Sequence, residues 1–134
     1  MDVIASQLSF SGEVLKSHYE ITNIEFYRIA QSLDYGFMIS YGTLIFTLAL
    51  IISRKFDAAS IWRKSGYIVA ILGITAACCD GIENIFILAM LTDPSGFPNI
   101  WAIIHSCFAL VKWIMIFSSI GWAIVAIITR KLKK

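Results

Sequence analysis

Asp80, Glu83 and Asn84 stand within five consecutive residues of a stretch that is otherwise apolar from 66 to 91, and His105 and Lys112 stand in a second such stretch from 100 to 129. Two carboxyls about one helical turn apart, a carboxamide, an imidazole and an ammonium group can build an ion-pair lock, a proton or ion relay, a head-group pocket or an acid–base pair. On helices rising about 1.5 Å per residue, Asp80 falls about 18 Å and Glu83 about 13 Å below position 92, and Lys112 falls about 18 Å below position 100. Acids and cation therefore share a depth. Left bare in the middle of a bilayer, each charge would cost roughly 2.5–3.5 kcal/mol, and the three together about 10 kcal/mol. They must pair or lose charge. Pairing Lys112 with two acids leaves one negative charge, to be removed by a proton on a carboxyl, by protonated His105 or by a partner's cation.

The surrounding residues fall into stripes. At about 100° per residue, Gly73, Ala77, Asp80 and Asn84 share one helix face. Small residues let backbones approach closely, so this face is expected to meet another helix, with Gly73, Ala77 and Gly81 as the packing positions. His105, Lys112 and Ser119 recur at seven-residue spacing, as do Asp34 and Tyr41 earlier in the chain. Three polar stripes predict one shared polar interior built from Asp34, Tyr41, Asp80, Glu83, Asn84, His105 and Lys112. His105 taken alone is expected to be a hydrogen-bonded structural histidine, and Trp113 and Trp122 to be packing residues.

The elements that must position these groups are helices in lipid. The 134 residues are 58% hydrophobic and only 15% charged, with a mean hydropathy of +0.77, outside the range of ordinary soluble domains. The stretch 35–53 contains no Asp, Glu, Lys or Arg and has close to the roughly 20 residues needed to cross about 30 Å of hydrocarbon. With 66–91 and 100–129 it gives three spans in a single helical membrane domain over 1–134. The third span would reach about 45 Å, so it must tilt or protrude. Thr22, Asn23, Ile24 and Glu25 read as a capping box, starting a helix that runs continuously into the first span. Residues 1–21 are of mixed polarity and predict a short amphipathic, interfacial segment. Asp93, Pro94, Ser95 and Gly96 have turn chemistry, and Pro98 followed by Asn99 suits a helix start.

Charge placement predicts orientation, because Lys and Arg near span ends are retained on the cytoplasmic side. Arg54, Lys55, Arg63 and Lys64 lie in one connection, and Arg130, Lys131, Lys133 and Lys134 in the tail. The segment 92–99 has Asp93 and no cation, and 1–34 has Asp2, Glu13, Glu20, Glu25 and Asp34 against Lys16 and Arg28. The expected arrangement is N-terminus outside and C-terminus cytoplasmic, with Trp62 and Trp101 as interface anchors. Asp2 in place of a basic leader, with no apolar run after it, predicts no removable signal peptide. With 11 Lys and Arg against 9 Asp and Glu, no basic surface points to nucleic acid. Cys78, Cys79 and Cys107 lack metal-ligand spacing, so no metal is expected and the cysteines read as packing residues. No phosphate loop, nucleophile elbow or cofactor fingerprint occurs, and the cofactor stays unknown.

Asp34, Phe37, Tyr41 and Gly42 entering the first span, Asp80, Gly81, Ile82, Glu83 and Asn84 in the second, and Lys112 with Trp113 in the third resemble a group of small bacterial multi-span membrane proteins of unassigned function. The resemblance covers most of residues 30–120 and implies only that Asp34, Tyr41, Asp80, Glu83, Asn84 and Lys112 belong together; the expected location is the cell membrane, a bacterial inner membrane. Three functions fit the residues. The first is a non-catalytic helical subunit, homo-oligomeric or accessory to a larger membrane complex, its polar cluster acting as a lock. The second is a proton or ion conduit, or a site for a bound lipid or other small amphipathic ligand, built on Asp80, Glu83 and Lys112. The third is a lipid- or isoprenoid-modifying enzyme using the two acids. Expected partners are the bilayer and other copies or subunits.

Overall fold

A computed structural model describes residues 3–132, so Asp2, Lys133 and Lys134 lie outside the described residues. The described chain is helical: α1 Val3–Gln7, α2 Gly12–Glu20, α3 Ile24–Ser53, α4 Ile61–Met90 and α5 Asn99–Leu132. The last three are each long and apolar enough to cross a membrane, making this an all-α integral membrane protein with three spans. Each span is longer than its apolar stretch because residues before that stretch join the helix, and α5 also runs on past its C-terminal end.

Local chemistry sets the boundaries. Asn23, rather than Thr22, caps α3: its carboxamide oxygen accepts from Phe26 N at 3.0 Å. Thr22 instead donates its hydroxyl to the His18 carbonyl at 2.7 Å and closes the end of α2. The capping box is corrected accordingly, since α3 begins at Ile24 and the residue in the cap position is Asn23, while Thr22 turns its hydroxyl back to α2. Ser60 caps α4 through Trp62 N. Asp93 accepts from Gly96 N at 3.0 Å in the turn before α5, and a Cβ on Gly96 would strike the Asp93 carboxylate. Asn99 begins α5, but its side chain serves another element, accepting from Gly12 N at 2.6 Å.

Helix α4 is the central element, packed against α3 on one side and α5 on the other, while α3 and α5 touch each other little. The α3/α4 contact is made by small residues. A Cβ on Gly73 would fall 2.7 Å from Ile45 Cγ2, one on Gly42 2.8 Å from Ala77 Cβ, and one on Gly81 3.2 Å from Met38 Cε. The predicted packing positions thus all face α3. Polarity is inverted relative to a soluble bundle: Asp80, Glu83, Asn84, His105, Ser106 and Lys112 are buried, whereas Phe37, Ile68, Ile71 and Phe117 are exposed, as a hydrocarbon solvent requires. Cys79 is buried, but Cys78 and Cys107 face outward, so only one of the three cysteines packs inside.

The N-terminal segment departs most from expectation. It forms two short helices instead of one, and it does not simply lie on the surface. Gly12 N bonds Asn99, Phe10 N bonds Ser106 Oγ at 3.1 Å, and Gln7 Oε1 accepts from Trp113 Nε1 at 3.0 Å. Those partners are seven residues apart on α5, about 10 Å per step, so the segment follows α5 to about 21 Å from its start. Phe10 adopts a left-handed φ of 51° to make the turn, a conformation costing a non-glycine residue about 1 kcal/mol or more. Leu15 and Tyr19 of α2 close that end of the bundle over Met90, Leu91, Phe97 and Ala102.

Overpacking the α3/α4 contact should be costly. Gly73→Leu is expected to lower stability by about 1–3 kcal/mol in thermal unfolding in mild detergent, whereas Gly121→Ala, with nothing within 4 Å of the added Cβ, should leave it unchanged.

Candidate functional site

Side by side on α4, Asp80 and Glu83 face α5, where Lys112 meets both. Lys112 Nζ lies 2.8 Å from Asp80 Oδ1 and 2.5 Å from Glu83 Oε2. The other Asp80 oxygen accepts from the Tyr41 hydroxyl of α3 at 2.9 Å, and the Ala76 carbonyl is 3.2 Å from that hydroxyl. Glu83 Oε1 lies 3.6 Å from His105 Nε2. Glu83 is thus held by the Lys112 ammonium alone at close range, while Asp80 is held by both Lys112 and the Tyr41 hydroxyl. The Lys112 ammonium also sits 5.6 Å from the centroid of the Trp113 ring.

A second chain of polar contacts continues toward the N-terminal end. Asn84 Nδ2 donates to Asp34 Oδ2 at 2.8 Å, and Gln31 of α3 donates to Asn84 Oδ1. Arg28, one turn earlier, donates to the Leu91 carbonyl that terminates α4. All seven candidate residues therefore meet around α4 in two adjoining groups: Asp80, Glu83, Lys112, Tyr41 and His105, and Asn84 with Asp34. Ser119 shares the His105 and Lys112 stripe but bonds the Met115 carbonyl of its own helix and takes no part. Gln31 and Ser106 were not singled out by the sequence. Gln31 precedes the apolar run, and Ser106 is an isolated hydroxyl whose partner, Phe10 N, lies 96 residues away. Trp113 and Trp122 pack, and each also donates its indole N–H, to Gln7 and to Ser65 respectively.

The cluster is not sealed. Because α3 and α5 touch each other little, a groove of about 450 Å³ opens between them, lined by Asp34, Tyr41, Asp80 and Lys112 and otherwise by apolar side chains such as Phe37, Leu44, Ile45, Ile116 and Ile120. Gln7 of α1 also lines it. Glu83 and His105 stay behind this wall.

No protein-family model matches the chain. Neither a curated protein nor a solved structure matches it. What the site can do follows from its own geometry. It presents carboxylate oxygens, a phenol and an ammonium to an otherwise apolar groove at membrane depth, and with both acids ionised the Asp80, Glu83 and Lys112 group carries one excess negative charge. That excess favours a bound proton or a ligand offering donors or positive charge.

Deleting the shared cation leaves two acids facing each other. Lys112→Met is expected to cost about 3–5 kcal/mol in detergent thermal unfolding, as for other buried pairs broken on one side. Combining it with Asp80→Asn and Glu83→Gln should recover most of that loss, because no buried charge then remains. Neutral behaviour of Lys112→Met alone would mean that Lys112 does not hold the acids.

Proposed function

We propose that this chain is a non-catalytic binding subunit of the cell membrane, whose α3/α5 groove receives a small amphipathic molecule. The polar end, carrying hydrogen-bond donors or a positive charge, meets Asp34, Tyr41, Asp80 and the rim of Lys112. The apolar remainder lies along Phe37, Leu44, Ile45, Ile116 and Ile120. One observation carries this reading: Asp80 and Lys112, which pair inside the bundle, also line a groove otherwise walled by apolar side chains. A pure lock has no use for such an opening. Ligand sites in bundles are commonly apolar clefts between helices with a few convergent polar groups, as here. An acid–base reaction is less well supported, since Glu83 is screened from the groove and both acids are committed to one lysine.

Within the same reading, the ends bearing Arg54, Lys55, Arg63, Lys64, Arg130 and Lys131 face the cytoplasm, and α1, α2 and the turn at 93–96 face outward, on the Lys and Arg asymmetry. The resemblance to small bacterial multi-span proteins supports an inner-membrane location.

Purification in mild detergent followed by mass spectrometry should reveal a copurifying amphipathic molecule. Filling the groove with Leu44→Trp and Ile116→Trp should remove it without loss of fold. Retention of the same molecule in the filled variant, or only bulk lipid in bulk proportions in the parent protein, would contradict the proposal. In the same preparation of cells, a cysteine replacing Ser95 should react with an impermeant reagent from outside. Reaction only after permeabilisation would reverse the orientation.

A further inference from the structure

Two further spaces lie beyond the polar cluster. One of about 60 Å³ beside Ser119 and Trp122 shares Ile45, Leu48 and Ile120 with the groove. The other, about 430 Å³ at the opposite end of the bundle, is walled by Ile51, Ile52 and Ile127 and rimmed by Lys55, Arg130 and Lys131. We propose that this basic mouth is a binding site for an anionic phospholipid, with the phosphate among Lys55, Arg130 and Lys131 and an acyl chain in the apolar cleft behind them.

The argument rests on convergence. Retention of cations on one side of a membrane places them near span ends but does not gather them around one cavity. Arg130 and Lys131 also suit the C-terminal dipole of α5. That leaves Lys55 unexplained, since it follows the end of another helix and still closes the same cavity. Among the described residues none of the three has a carboxylate within salt-bridge distance; the ion pairs present involve Lys112 and His105 alone. Asp57 is the one acid in the connection at 54–60, and it does not line the cavity. Three unneutralised cations over an apolar slot between spanning helices match the head and tail of an anionic lipid. A zwitterionic head would bring its own cation against them. The excess negative charge of the Asp80, Glu83 and Lys112 group beside the groove disfavours the reverse placement.

The test uses the delipidated full chain in mild detergent, with phosphatidylglycerol or phosphatidylcholine added and binding read by native mass spectrometry and thermal shift. Phosphatidylglycerol should bind and raise the unfolding temperature, and phosphatidylcholine should not. Lys55→Gln alone, in an exposed position, should weaken binding about fivefold, and with Arg130→Gln and Lys131→Gln about a hundredfold, from roughly a fivefold effect per cation near the surface. Ile127→Trp, which fills the slot and keeps every charge, should also abolish binding. Leu44→Trp with Ile116→Trp, which fills the groove and touches no residue of this cavity, should leave phosphatidylglycerol binding unchanged, which separates this site from the groove ligand. Equal binding of phosphatidylcholine, full affinity in the Lys55→Gln or triple variant, or full affinity in Ile127→Trp would overturn the proposal. So would binding of soluble glycerol phosphate as tight as that of the lipid, which would mean a phosphate site with no use for the slot.

Discussion

An ammonium group at bilayer depth needs a carboxylate beside it, and a carboxylate there needs a cation or a proton. This constraint organises the molecule. Lys112 on α5 lies against Asp80 and Glu83 on α4, and Asp80 reaches Tyr41 on α3, so one charge neutralisation ties all three spans together. Helix register follows, because a shift of a single turn would carry Lys112 about 5.4 Å away from its acids. The small residues Gly42, Gly73 and Ala77 then let α3 approach α4 closely enough for the Tyr41 hydroxyl to arrive.

The same arrangement explains why a cleft exists. Among the three spans the extensive contacts run through α4, leaving α3 and α5 apart. The chain fills the N-terminal part of that gap with its own first residues, through Gln7, Phe10 and Gly12. Elsewhere the gap between α3 and α5 holds the groove with Asp34 and Asp80 in its wall and the cavity with three cations at its rim. These two apolar spaces differ in the sign of the charge beside them. Mid-bilayer charge thus serves both as the fastener of the helices and as the chemical feature of the groove.

Much of this was legible in the sequence, for particular reasons. The spans follow from apolar length, and the meeting of Lys112 with Asp80 and Glu83 from their equal depth and the cost of leaving them bare. Tyr41 and the Gly73, Ala77 and Gly81 face follow from helical periodicity. Other features were not legible. Residues 3–12 find partners 87 to 106 positions away, and nothing in a short segment of mixed polarity announces that it will follow a distant helix inward. The choice of Asn23 over Thr22 as cap depended on which of two adjacent polar residues the end of α2 would claim. The groove itself depends on how little α3 and α5 touch, a property of the whole packing that no single stripe encodes.

The central claim is that the Lys112 ammonium is held between the Asp80 and Glu83 carboxylates in the bundle interior. Isotope-edited solid-state NMR of the protein in lipid bilayers, with the lysine side-chain nitrogen and the carboxyl carbons labelled, measures this directly. The account predicts dipolar coupling from the Lys112 nitrogen to the carboxyl carbons of both Asp80 and Glu83, with slow exchange of the ammonium protons with water. Coupling to neither carboxyl, together with the rapid exchange of a surface lysine, would contradict it.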